Sequence, residues 1–102
     1  MIITYKLETE MELVARHVKV LKAVMEHQPV GIIKLSHMLN MPEHKIRYSL
    51  RLLEQEGLIE ASPGGAKITE KTKTAIGEIR DFLTKMEEKC REVESLIDSI
   101  NL

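Results

Sequence analysis

Aromatic side chains are nearly absent from this 102-residue chain, which has no tryptophan and only three rings, Tyr5, Tyr48 and Phe82. A core must then be built from Leu, Ile, Val and Met, and there is no aromatic platform on which successive bases of a single strand could stack. Cysteine is equally scarce. Cys90 alone excludes an internal disulfide and a multi-cysteine zinc site, leaving only a bond between chains. Long apolar runs are missing too: none approaches the roughly 20 residues that span a bilayer, and the opening "MIITYKLETE" has neither a long apolar region nor a small-residue cleavage site. A cytoplasmic protein is expected. Excess charge is also lacking, since the formal net charge is −1, so no globally basic coat exists.

Catalytic and cofactor signatures are absent as well. There is no P-loop, no dinucleotide fingerprint and no nucleophile–base–orienter set. His17, His27, His37 and His44 are spaced neither three nor four apart, so they do not read as metal ligands. Neither an enzyme nor a bound metal or cofactor is expected.

At 43% hydrophobic and 30% charged, the composition is that of a folded domain, and the length suits one core plus one long appended element. Over residues 8–27, Met11, Val14, Val18, Leu21 and Met25 alternate at spacings of three and four, with Val24 beside them. This predicts a helix with one apolar face, ended by Pro29 and Gly31. The preceding "MIITYKL" fits a strand, a helical extension or irregular chain equally. A second short helix is expected in "IIKLSHMLN", closed by Asn40 in the left-handed conformation, with Pro42 opening the next. The third, over 42–55, turns Ile46, Leu50 and Leu53 inward and leaves Lys45, Arg47, Tyr48 and Arg51 largely outside. Glu56-Gly57 stops it. Two strands, "LIEAS" and "AKIT", joined by "PGG", then form a hairpin over 58–68 whose glycines supply positive φ.

From Thr69, a capping residue, the last helix carries Ile76, Ile79, Leu83, Met86, Cys90, Val93, Ile97 and Ile100 in strict heptad register. A stripe of that length exceeds what one small domain covers, so a homodimer clasped by this helix is expected, parallel or antiparallel. Phe82, Ala75 and Leu96 widen the face. Cys90 sits in the seam, and nothing polar there marks a small-molecule effector site.

Positive charge gathers in the middle of the chain, where Lys34, Lys45, Arg47 and Arg51 face only Glu43 before position 52. The stretch from Val20 to Thr72, and above all "LRLLEQEGLIE" followed by "KITEKT", resembles the winged helix-turn-helix family of dimeric bacterial and archaeal transcriptional regulators. The heptad helix is similar to those of small archaeal members that dimerise through a coiled coil. The resemblance implies a mainly α fold of three helices and a two-stranded wing in residues 1–68, with 69–102 as a dimerisation helix. It further implies a double-stranded DNA partner, helix 42–55 in the major groove, and the wing on the backbone. Glu43, His44, Lys45, Arg47, Tyr48 and Arg51 would face the groove, with Lys34, Ser36 and Lys67 on phosphates. The wing tip "SPGGA" departs from the family pattern in having no arginine, which implies a phosphate-level wing contact. An architectural, chromatin-type DNA binder and a protein-interaction adaptor are the alternatives.

Overall fold

The computed structural model, which describes residues 1–102, opens with one long helix, α1 (Ile2–His27), that runs back through the poor helix formers Ile2, Ile3, Thr4 and Tyr5. "MIITYKL" is thus helical from Ile2 onward. The buried positions of α1 are Val20, Leu21, Ala23 and Val24, whereas Met11, Val18 and Met25 of the expected stripe remain exposed. The inward seam keeps Val14, Leu21 and Val24 of the expected face and takes in His17 where Val18 was expected, all three or four residues apart. A histidine occupies it because a buried hydroxyl of a later helix supplies its ring with a partner. Gln28, ahead of Pro29, is extended with ψ 143°, which ends α1 as proline sterics require.

Helix α2 (Ile32–Leu39) buries Leu35 and closes at Asn40, whose φ of 51° and ψ of 48° are left-handed. The N–H groups of Asn40 and Met41 return to the carbonyls of His37 and Ser36, satisfying the end of the helix. Helix α3 (Glu43–Gln55) begins just after Pro42, which caps it through its carbonyl, and buries Ile46, Ser49 and Leu53. Leu50 is half-buried. Gly57, at φ +77°, reverses the chain into the hairpin.

Strands β1 (Ile59–Ser62) and β2 (Gly65–Ile68) pair antiparallel, with Ile59 opposite Ile68 and Glu60 opposite Lys67. The positive φ at the hairpin tip falls on Gly65, at +125°. On its other edge β2 meets Val30, which exchanges two backbone hydrogen bonds with Ala66 (3.0 and 2.8 Å). The side chain of Gln28 extends this edge by accepting from the Ile68 N–H at 2.9 Å. The segment between α1 and α2 therefore serves as a third, one-residue strand. The apolar core of this unit is aliphatic, with Val20, Val24, Val30, Leu35 and Ile46 at 2% exposure or less, and Ser49 and Thr72 are buried with it.

Contacts divide the chain into Met1–Thr72 and Lys73–Leu102. Helix α4 (Thr72–Asp98) opens at the last residue of the first unit. Its start is three residues later than Thr69 because Thr69 acts as a turn residue: its hydroxyl accepts from the Lys71 N–H (3.2 Å) and donates to the Gly57 carbonyl (2.6 Å). Within the second unit α4 stops before Ile100, the last heptad position. Ile79, Leu83 and Met86 are half-buried, and Ile76, Cys90, Val93, Ile97 and Ile100 are exposed. No helix is long and apolar enough to cross a membrane.

Candidate nucleic-acid interface

The outward side of α3 follows from what its inward side must bury. With Ile46, Ser49 and Leu53 committed to the core, the helical repeat leaves Glu43, His44, Lys45, Arg47, Tyr48 and Arg51 exposed. Five of these six, His44, Lys45, Arg47, Tyr48 and Arg51, line one open concavity of about 510 Å³. The sixth lining residue is Arg16, brought alongside by α1. Glu43 stands in the first turn of α3, where a carboxylate complements the positive helix end.

No carboxylate forms a direct ion pair with this group. The ion pairs of the molecule are Lys67 with Glu60 (3.5 Å) and Lys89 with Glu92 (3.0 Å), so Arg16, Lys34, Lys45, Arg47 and Arg51 all lack an acidic partner within 4.0 Å. Four of these cations, Arg16, Lys45, Arg47 and Arg51, share one depression, and Glu12 lines an adjoining concavity with Arg16 and Lys45.

The joint between α1 and α3 lies at the edge of the concavity. His17 Nδ1 and Ser49 Oγ are 2.8 Å apart, and Ser49 is fully buried. Burial lowers the His17 pKa from its ordinary value, with the neighbouring Arg16 charge adding to the effect, so the neutral ring is favoured. The Tyr48 ring packs on His17 with centroids 5.8 Å apart at 45°, and the Arg16 guanidinium lies 5.9 Å from the Tyr48 centroid. Arg16 Nη1 also donates a long, 3.5 Å hydrogen bond to the Lys45 carbonyl.

The remaining expected contacts are placed unequally. Lys34 is exposed on α2. Ser36 is half-buried, and its hydroxyl donates to the Met41 carbonyl at 2.5 Å, closing the turn between α2 and α3. Lys67 is exposed on the wing, but its ammonium is shared with Glu60 directly across the hairpin. Sequence reasoning does not find Arg16 and His17. For His17 a signal exists, since it sits at helical spacing between Val14 and Leu21; for Arg16 there is none, because its place beside α3 arises only from packing.

A family model described as the CggR N-terminal DNA binding domain matches residues 13–83. Among solved structures the chain is similar to the activation domain of the phage T4 transcription factor MotA, at 15% identity and TM-score 0.55, covering 76% of this chain and 80% of that one. It is also similar to a protein of unknown function from Listeria innocua Clip11262, at 14% identity and TM-score 0.56, covering 97% and 93%. Staphylococcus aureus MarR, solved in complex with salicylate and kanamycin, aligns at 17% identity and TM-score 0.51 over 100% of this chain and 74% of that one. These likenesses establish the fold, a winged helix with a long C-terminal helix. No curated protein sequence matches the chain.

Proposed function

The chain belongs to the family of the CggR N-terminal DNA-binding domain, and on that premise we propose that it works as a homodimeric transcriptional regulator reading double-stranded DNA with α3 in the major groove. The observation that carries this reading is the face of α3: Lys45, Arg47 and Arg51, with His44 and Tyr48, stand exposed around one concavity and none has a carboxylate partner. A groove about 12 Å wide admits one helix, and exposed Arg and Lys side chains match the acceptors of guanine. Glu43 is suited to accept from cytosine. Lys34 and Lys67 then fall to the phosphates, the latter weakly because Glu60 already holds it. In this reading residues 1–68 bind DNA and 69–102 hold two copies together.

Dimerisation is proposed from the heptad stripe of α4, whose outer half, Cys90, Val93, Ile97 and Ile100, is left exposed in the single chain. Two α3 helices about 34 Å apart would enter successive major grooves on one side of the duplex.

The test is a duplex-binding titration over a range of salt. With three to five phosphates neutralised per protomer, the logarithmic salt slope of the dimer is expected at about −5 to −9. Poor competition by random DNA supports a regulator, and equal competition points to an architectural role. Absence of binding at low salt overturns DNA binding and leaves the adaptor.

A further inference from the structure

Resting on that DNA-binding reading, we infer that Arg16 of α1 is a further DNA contact, one that takes a backbone phosphate at the edge of the groove while Tyr48 holds its guanidinium in place. The residue lies outside the helix-turn-helix, yet it shares the cationic concavity with His44, Lys45, Arg47 and Arg51.

Arg16 is underused by the protein itself. A guanidinium has five N–H donors, and this one makes a single long hydrogen bond, to the Lys45 carbonyl at 3.5 Å. Glu12 stands one turn earlier on the same helix, a spacing at which ion pairs form, but it lies beyond 4.0 Å from Arg16. The guanidinium is instead kept over the Tyr48 ring, close to the outer limit of about 6 Å for such a contact. Tyr48 is in turn set against His17, whose Nδ1 meets the buried Ser49 hydroxyl at 2.8 Å. The line from Ser49 through His17 and Tyr48 therefore ends in an oriented cation with free donors.

Its chemistry suits phosphate rather than a base edge. Arg16 is on the flank of α3, beside Lys45 and Tyr48, and not on the outward crest. When a helix fills the major groove, the flank is where a sugar-phosphate strand passes, and a planar donor fork there binds phosphate oxygens in bidentate fashion. A bound phosphate would also set a negative charge beside the four cations that share the concavity.

The experiment compares the full chain with Arg16→Gln, Arg16→Lys and Arg47→Ala in duplex titrations across salt, with thermal melts alongside. Arg16→Gln is expected to weaken target and random duplexes alike and to reduce the steepness of the salt slope by about 0.9 for each phosphate it no longer neutralises. Between 50 and 200 mM salt its deficit should then shrink roughly threefold per phosphate. Arg16→Lys, which keeps the charge, should retain the wild-type slope. In a Tyr48→Leu background, Arg16→Gln should cost less than in the wild type, because the guanidinium is no longer positioned. An Arg16→Gln protein with the wild-type slope, whatever its melting temperature, overturns the inference by reducing Arg16 to a strut between α1 and α3. If wild type binds and Arg47→Ala weakens it while Arg16→Gln does not, only the Arg16 contact falls. Should the wild type itself show no salt-dependent binding, the DNA-binding reading fails and the inference with it.

Discussion

His17 on α1 and Ser49 on α3 meet at 2.8 Å, a side-chain pair that ties the long N-terminal helix to the back of the reading helix. Ser49 is fully buried, so its hydroxyl depends on the imidazole for a partner, and the imidazole is favoured neutral there. Protonation of the ring would put a charge into this partly buried joint beside Arg16.

Acid should therefore loosen the fold through His17. Its pKa is lowered in the folded chain, so on acidification the unfolded chain takes up the proton first. The stability contributed by the neutral ring is complete above the ordinary histidine value of about 6.5 and is lost as pH falls from there through the lower folded value. Thermal melts at about pH 7.5 and about pH 5.5 should show a larger drop for wild type than for His17→Gln, which does not titrate in this range. Equal drops would contradict this role for the ring.

Gly65 should tolerate no side chain. A β-carbon there would stand 2.5 Å from the Val30 carbonyl carbon and 2.6 Å from its oxygen, and the backbone φ is +125°. Gly65→Ala is expected to cost about 1–3 kcal/mol or more, because neither the strained φ nor the backbone neighbour can yield cheaply. Gly77→Ala provides the contrast: a β-carbon added there, on α4, would meet nothing within 4 Å, and alanine should stabilise by about 0.5–1 kcal/mol. Paired urea titrations of the two variants decide the matter.

Thr72 should prove more costly to alter than a surface threonine. At 1% exposure its hydroxyl donates to the Leu58 carbonyl (2.7 Å) and accepts from the Thr69 N–H (3.1 Å). Thr72→Val keeps the shape and removes both bonds, so a loss of about 1–3 kcal/mol is expected in urea unfolding, with an unchanged denaturant slope. A loss below a few tenths would mean that the Thr69 N–H and the Leu58 carbonyl, already 3.3 Å apart, satisfy each other without the hydroxyl.

The stripe of α4 should set the solution mass. Sedimentation equilibrium at micromolar concentration is expected to give twice the 11.7 kDa chain mass for wild type and the single-chain mass for Ile97→Glu. Ile97 is 60% exposed in the single chain, so glutamate there costs the isolated fold little, whereas a charge inside a heptad seam is expensive. A monomeric wild type would remove the basis for two coupled half-sites. Mild oxidation adds a geometric readout, since a parallel seam places the two exposed Cys90 thiols opposite each other.

Much of the fold is legible where the cause is local. Asn40 takes the left-handed closing conformation, Gly57 turns the chain at positive φ, and the strands flank a Pro63-Gly64 turn. The apolar face of α1 is legible at Val14, Leu21 and Val24, but spacing alone puts Val18 where His17 in fact lies, because His17 counts as polar. Along α3, Ile46 and Leu53 are recognisable as inward, but Ser49 between them is not: a small hydroxyl looks like surface until its partner is known. Most of the cationic set is recognisable from its place on that helix, and Arg16 is not.

The order of helices and strands, their stops, and the heptad register of the last helix are consequences of the sequence by itself, because backbone preference and side-chain periodicity act over a few neighbouring residues. Only tertiary structure decided that Val30 completes the edge of β2, that Gly65 has no room for a β-carbon, and that Arg16 and His17 lie beside α3. Those contacts join residues some thirty positions apart, and they depend on how one helix is rotated against another, a choice made by the packing of the whole core and encoded in no single stretch of chain.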